Sequence, residues 1–256
     1  MAAKNPWIRC PKPRPAARTR LYCIPQAGGG AAAFRTWSAG LPEDVEQRSV
    51  QLPGREDRLK DAPQHSVTPI VAELADALIP ELDRPYAIFG HSMGALIGFE
   101  LVRELRRRGA PAAGRLFASA FRAPQVPRRE AAIHELSDEE FVEEVNRRYD
   151  AVPQMVRENQ ELMDLVLPGL RADIAVCDSY EYVEGEPLAC PISVFGGEQD
   201  RQVGREDLAG WEAQTTGGCS LTMFPGEHFF HQSEQAAVLA AIAAGIALGR
   251  AGGSVA

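Results

Sequence analysis

Tyr86-Ala87-Ile88-Phe89-Gly90-His91-Ser92-Met93-Gly94-Ala95-Leu96-Ile97-Gly98 is the stretch that decides how this chain folds. An apolar, strand-like run ends abruptly in Gly90-His91-Ser92-Met93-Gly94, and a helix-like run from Ala95 to Arg107 follows at once. This is a G-x-S-x-G motif in the setting of strand, sharp turn and helix that gives the motif chemical meaning. The serine of such a turn stands on a backbone that folds back on itself. A side chain two residues to either side would collide with the neighbouring strand or helix, which accounts for Gly90 and Gly94. The turn lifts the Ser92 hydroxyl above the sheet and points the Met93 N–H toward a developing oxyanion. Outside that setting the same five residues are only a glycine-flanked turn with an inert serine.

Working outward, the flanking sequence alternates strands with helices. Arg20 to Pro25 reads as a short buried strand that breaks into Gln26-Ala27-Gly28-Gly29-Gly30, and a helix is expected over Ala32 to Leu41. Val45 to Leu52 reads as another strand, and Pro53-Gly54-Arg55-Glu56-Asp57-Arg58 turns out of it as a solvated charged loop. Ser66 to Leu82 is helical: Pro69 marks its start, and Ile70, Val71, Leu74, Ala77, Leu78 and Leu82 recur at helical spacing. Cations at Arg106 to Arg108 and Gly109 close the helix after the motif. Leu116 to Ala120, Pro191 to Gly197 and Ser220 to Phe224 are further strands, and a last helix spans Gln235 to Leu248. Strands separated by helices imply βαβ units and a mostly parallel sheet, an α/β fold.

The pattern changes between residues 122 and 186. Ser137-Asp138-Glu139-Glu140 reads as a cap opening a helix with Phe141, Val142 and Val145; a second helix is expected over Met155 to Val166 and a third over Leu170 to Tyr182. So long a helical stretch between two strands exceeds an ordinary crossover. Residues 122–186 are therefore expected to form a helical insertion, a lid, on a core made of 1–121 and 187–256. Phe141, Val142, Met155, Met163, Leu165 and Leu167 are candidates to line its inner face.

Composition narrows the function. The chain has 256 residues, 45% of them hydrophobic, which suits one large domain with a full core. A formal net charge of -8 speaks against a nucleic-acid partner, which calls for a basic face. Five scattered cysteines, Cys10, Cys23, Cys177, Cys190 and Cys219, form no C-x-x-C pair; they suggest reduced thiols and a cytoplasmic protein rather than zinc or a disulfide framework. No apolar stretch approaches the roughly 18 residues of a membrane span. Lys4 to Arg20 lacks the apolar core of a secretory signal and reads as a loose arm or an early edge strand. A monomer is the default expectation.

Acyl transfer at a serine needs a base within hydrogen-bond reach and a carboxylate to orient it. Functional groups of an open α/β sheet gather at the carboxyl ends of strands. Of the histidines, only His228 follows the last strand directly; His231 competes with it, while His65, His91 and His134 are poorly placed. Asp200, at the end of the preceding strand, is the first choice of carboxylate, Glu198 the second, with Asp207 and Asp178 as alternatives. A second oxyanion donor is expected from the glycine-rich loop: the Ala27 N–H, or that of Gln26 or Gly28.

Ile24-Pro25-Gln26-Ala27-Gly28-Gly29-Gly30, Leu52-Pro53-Gly54-Arg55-Glu56-Asp57-Arg58, Phe89-Gly90-His91-Ser92-Met93-Gly94-Ala95 and Phe224-Pro225-Gly226-Glu227-His228-Phe229-Phe230 together resemble the type II thioesterases. These accompany modular polyketide synthases and nonribosomal peptide synthetases. Leu170-Arg171-Ala172-Asp173, before Tyr180, is similar to that family's lid. Gln26 stands where the family more often carries an aromatic or histidine, and Glu227 where glycine or aspartate is commoner. The resemblance implies an α/β-hydrolase fold with a helical lid insertion, and a serine thioesterase without metal or other cofactor. It implies partners as well: acyl or peptidyl carrier protein domains, from whose phosphopantetheine arms aberrant acyl groups are cleaved. The rivals are another serine esterase or lipase on the same fold, or a non-catalytic acyl-binding protein.

Overall fold

In the computed structural model, which describes residues 5–252, the apolar runs of the sequence become the strands of one sheet. Lys4 and the outermost parts of the expected core, 1–4 and 253–256, lie outside the described residues. Strand β1 (Ile8–Arg9) and β2 (Thr19–Ile24) are followed by the single-turn helix α1 (Trp37–Gly40) and β3 (Val45–Val50). Helix α2 (Val67–Leu78), β4 (Tyr86–His91), α3 (Met93–Arg107) and β5 (Arg115–Ser119) come next. Three helices then intervene, α4 (Asp138–Tyr149), α5 (Gln154–Arg157) and α6 (Gln160–Asp178). The chain ends with β6 (Ile192–Gly197), α7 (Arg205–Ala209), β7 (Cys219–Phe224), α8 (Phe230–Ser233) and α9 (Gln235–Gly252).

The sheet order is β1-β3-β2-β4-β5-β6-β7. Every neighbouring pair is parallel except β1 with β3, so the N-terminal segment supplies an antiparallel edge strand, Ile8 opposite Val50. Registers run from Ile24 opposite Gly90 to His91 opposite Ser119 and Gly197 opposite Phe224. The loops after β2, β4, β6 and β7 therefore open at the same edge of the sheet. This is the α/β-hydrolase arrangement, a mostly parallel sheet between helices.

The central strands read as continuous apolar runs because both of their faces are covered. On one face α2 and α3 bury Ile70, Leu74, Leu96 and Leu101 against Tyr22 and Ile88. On the other, Trp37 of α1 and Val238 and Ile242 of α9 pack with Phe34, Phe89 and Phe117. Truncating one such side chain, Leu74→Ala for example, removes burial and leaves a cavity worth roughly 2–5 kcal/mol.

The structure departs from the sequence expectation at two places. Instead of one helix over Ala32 to Leu41, a turn of 3-10 helix (Ala31–Phe34) precedes α1. The break lets Phe34 and Trp37 both enter the core, with ring centroids 4.9 Å apart and Trp37 4.8 Å from Phe89. The two helices expected over Met155 to Tyr182 are divided differently. The division falls at Asn159, whose side chain caps α6 by accepting from Leu162 N at 3.2 Å. Helix α6 then runs through Pro168 without interruption and ends at Asp178. Buried Met163 on one side of the proline and Leu170 and Ile174 on the other anchor it to the same cluster, and that packing overrides the breaker. The expected cap at Ser137 is present as a reciprocal pair with Glu140.

Candidate active site

The turn between β4 and α3 is as tight as the glycines suggest. A Cβ on Gly90 would lie 2.0 Å from the Gly94 carbonyl oxygen, and one on Gly94 2.2 Å from the Ile24 carbonyl oxygen of β2. Ser92 is held between them at φ 54° and ψ −121°, a conformation costly for a residue with a side chain. Its amide donates to Ser119 O at 2.7 Å, which fastens the turn to β5. Met93 opens α3, so its N–H has no intrahelical acceptor.

His228 lies on the loop after β7 and Asp200 on the loop after β6. The imidazole Nε2 is 3.0 Å from Ser92 Oγ, and Nδ1 is 2.8 Å from Asp200 Oδ2. A carboxylate only accepts, so the Nδ1–H donates to Asp200 and Nε2 is left to accept from the serine hydroxyl. The other carboxylate oxygen accepts from the amides of Gln202 and Val203 at 2.9 and 3.3 Å, which fixes its orientation. Both side chains are almost wholly buried. The alternatives are occupied elsewhere. Glu198 is exposed, Asp207 caps α7 and pairs with Arg129 at 2.9 Å, and Asp178 accepts from the Ile133 amide at 2.7 Å and from His134. His231 is buried but makes no hydrogen bond to Ser92; neither of its ring nitrogens has a partner among the described residues.

Behind His228 sits a second imidazole pair. The rings of His91 and His231 lie with centroids 3.8 Å apart, tilted 38° to each other, and His91 lies 5.4 Å from His228. His91 Nδ1 is 3.0 Å from Ser119 Oγ. Burial, then His231 and His228, hold His91 well below the ordinary histidine range, and burial followed by His228 pushes His231 down to about 3. Both are neutral at physiological pH.

The glycine-rich loop after β2 is tied to helix α6 by a contact with no counterpart in the sequence reading. Asp173, buried in α6, accepts from the Gly28 amide at 2.7 Å and is bound by both terminal nitrogens of Arg55, Nη2 at 2.8 Å. Arg55 Nη1 also donates to Gly29 O at 3.1 Å. The Gly28 N–H is thereby occupied, whereas the Ala27 N–H, beside the Ser92 hydroxyl's chamber, has no hydrogen-bond partner among the described residues. Arg55, read from sequence as part of a solvated loop, is instead a buried clamp. The signal for it was its place in the quoted Pro-Gly-Arg block; its partner lies 118 residues away.

A chamber opens over Ser92 and His228, walled by Tyr149, Val145, Leu170 and Ile174 from α4 and α6. The Tyr149 ring stands 5.0 Å from that of His228. The side chains expected to line it do not. Phe141 and Met163 are buried in the helices' own cluster with Val142 and Leu167 packed against it, while Met155 and Leu165 are exposed. Helices α4 and α6 bury one face against each other's cluster, and the sequence periodicity did not say which neighbour that face meets. Among the described residues no group of three or more His, Cys, Asp or Glu is arranged to hold a metal ion, and no helix is long and apolar enough to cross a membrane.

Comparison with known proteins agrees with this geometry. The family model described as "Thioesterase domain" matches residues 19–246. Gramicidin S biosynthesis protein GrsT of Aneurinibacillus migulanus is 43% identical over 226 residues, 88% of this chain and 88% of that protein. The type II thioesterase BorB from the borrelidin biosynthetic cluster superposes with a TM-score of 0.86 at 34% identity, covering 96% of this chain and 99% of BorB. RedJ, a thioesterase of the prodiginine pathway in Streptomyces coelicolor, does so with a TM-score of 0.84 at 38% identity, covering 90% and 91%. A serine, an imidazole and a carboxylate linked in series on this scaffold, with a family match across nearly all of the sheet, place the chain in the thioesterase-domain family, among its type II members, as a thioester hydrolase.

Proposed function

We propose that the protein cleaves aberrant or stalled acyl groups from the phosphopantetheine arms of carrier protein domains on polyketide or nonribosomal peptide assembly lines, with Ser92, His228 and Asp200 as the catalytic residues. The observation that carries the roles is the unbroken hydrogen-bonded series from Ser92 Oγ through His228 to Asp200. The relatives' association with gramicidin S, borrelidin and prodiginine biosynthesis supports the substrate class.

In this mechanism Asp200 holds the Nδ1–H of His228, and Nε2 takes the Ser92 proton as Oγ attacks the thioester carbonyl. The Met93 and Ala27 N–H groups stabilise the oxyanion, each donor being worth about 10²–10³ in rate. The C–S bond breaks, and His228 returns the proton to the departing thiol. Water then attacks the acyl-serine with His228 again as base, the acyl C–Oγ bond breaks as His228 passes that proton to Ser92 Oγ, and the free acid leaves. Residues 122–186 serve as the lid: their helices carry the chamber wall that shields the acyl-serine from bulk water. The protein works as a monomer and in the cytoplasm, a location supported by its five unpaired cysteines.

Mass spectrometry of acyl-loaded carrier protein incubated with wild type and with Ser92→Ala tests the proposal. Unloading by wild type alone is expected; equal unloading by the variant refutes the role of Ser92. Faster cleavage of an oxygen ester than of the thioester of the same acyl group would favour the esterase reading.

A further inference from the structure

We propose that Tyr149 sets the length limit on the acyl group. Its ring is the partition between the chamber over Ser92 and a second pocket beside His228, and it stops long acyl chains at that wall. The inference rests on the thioesterase reading above and deepens it.

Two voids meet at Tyr149. The chamber over Ser92 holds about 80 Å³, and the neighbouring pocket, bordered by Asp150, Glu227, Gln232 and Ser233, about 350 Å³. Tyr149, His228 and Phe229 line both. One water needs about 10–15 Å³ of such space, so the chamber takes a short acyl group and little more. Two of the shared residues are tied in place. His228 is bound to Ser92 and Asp200, and the Phe229 ring packs against the imidazoles of His228, His91 and His231 at 5.2, 6.0 and 6.2 Å. The Tyr149 ring meets only that of His228, at 5.0 Å, and its hydroxyl has no hydrogen-bond partner among the described residues. Its place is set by the end of its helix. Asn146 accepts from the Asp150 amide at 2.8 Å through its backbone carbonyl and from the Val152 amide at 2.9 Å through its side chain.

The other walls leave a lengthening alkyl chain no favourable course. Val145, Leu170 and Ile174 belong to the packed cluster of Phe141 and Met163, while Ala120 and Phe121 belong to the core around the sheet. The rest of the lining is charged, with Arg122, Arg128 and Arg129 beside Glu130, Asp178 and Asp207, and an alkyl chain laid there would strip water from those groups. The space an extended chain needs is therefore the neighbouring pocket, and the Tyr149 ring stands between.

The test compares kcat/KM for acetyl, butanoyl, hexanoyl and octanoyl pantetheine thioesters in wild type, Tyr149→Phe, Tyr149→Leu and Tyr149→Ala. Wild type is expected to favour the short members, and Tyr149→Phe, which keeps the ring, to keep that preference. Each methylene that leaves water favours association about 4-fold. The ratio of octanoyl to butanoyl kcat/KM should therefore rise about 10- to 100-fold in Tyr149→Ala, with Tyr149→Leu intermediate. An unchanged ratio in both of these variants overturns the proposal; if activity then rises or falls equally at every length, the ring governs passage of the arm or supports His228 instead. A shift as large in Tyr149→Phe as in Tyr149→Ala also overturns it and assigns the selection to the hydroxyl. Wild-type hydrolysis as fast for octanoyl as for butanoyl overturns the inference but leaves the thioesterase reading intact; hydrolysis of none overturns both.

Discussion

Replacing the ion pair between Arg55 and Asp173 separates what helix α6 does for stability from what it is proposed to do for catalysis. In Asp173→Ala the Arg55 guanidinium, only 11% exposed, loses its carboxylate, and the Gly28 amide loses its acceptor. Removing one partner of a buried pair costs about 3–5 kcal/mol, a large share of the roughly 5–15 kcal/mol that holds a domain folded. The double replacement Arg55→Met with Asp173→Leu leaves no stranded charge, and apolar substitutes of similar volume are often neutral or stabilising. Denaturant unfolding should therefore show a deep loss in the single variant and recovery to near wild type in the double one. Activity should not recover with it. The loop from Gln26 to Gly29 is no longer anchored through Gly28, and the proposed Ala27 donor drifts from the position an oxyanion would take. The ceiling on that loss is the whole contribution of one donor, about 10²–10³ in kcat; a partial displacement of the loop predicts a fall of about 10- to 100-fold. Steady-state hydrolysis of an acyl-pantetheine thioester measures it. A double variant that is both stable and fully active would refute the positioning argument outright.

Three further outcomes are expected. Asp200→Asn should keep the fold while lowering kcat by about 10³–10⁴, because the amide no longer enforces the Nδ1–H tautomer; a circular dichroism spectrum like wild type with undiminished turnover would contradict it. Acidification should destabilise the protein through His231. Its pKa is depressed to about 3 in the folded state, so the unfolded chain takes up the proton first, and stability is complete above the ordinary value of 6.5 and lost as pH falls toward 3. Between pH 7 and pH 5 this group alone accounts for about 2 kcal/mol, and His231→Leu should remove that part of the slope, leaving the contribution of His91; an identical slope in urea melts of the variant would refute it. Gly94→Ala places a methyl carbon 2.2 Å from the Ile24 carbonyl and should yield little folded protein; a wild-type melting temperature for that variant would show that the turn is looser than described.

What sequence made legible was local. The strands announce themselves as apolar runs ended by glycine or proline, and the positions of Ser92, Asp200 and His228 follow from strand ends and chain order. The long-range contacts were silent. Arg55 looks like one charge in a run of four until α6 folds over it, and Asp173 looks like any helical aspartate. The separation expected between Val166 and Leu170 is absent because the buried Met163, Leu170 and Ile174, which hold α6 together across Pro168, become neighbours only in three dimensions. The chamber residues failed for the same reason. Tyr149 sits at the end of α4, where periodicity gives no direction, and its place over His228 depends on how α4 packs with α6.

The buried carboxylate of α6 sets a limit on how this scaffold diversifies. None of Ser92, Asp200 and His228 lies between β5 and β6, so if the proposed lid is exchanged to reshape the chamber, those three residues stay in place. Yet Asp173 reaches out of that stretch to hold the Gly28 amide in the core. A transplanted cover that lacks an acid at this point would change the chamber but slacken the glycine-rich loop after β2, so swaps of these helices should retain the acid or change Arg55 with it.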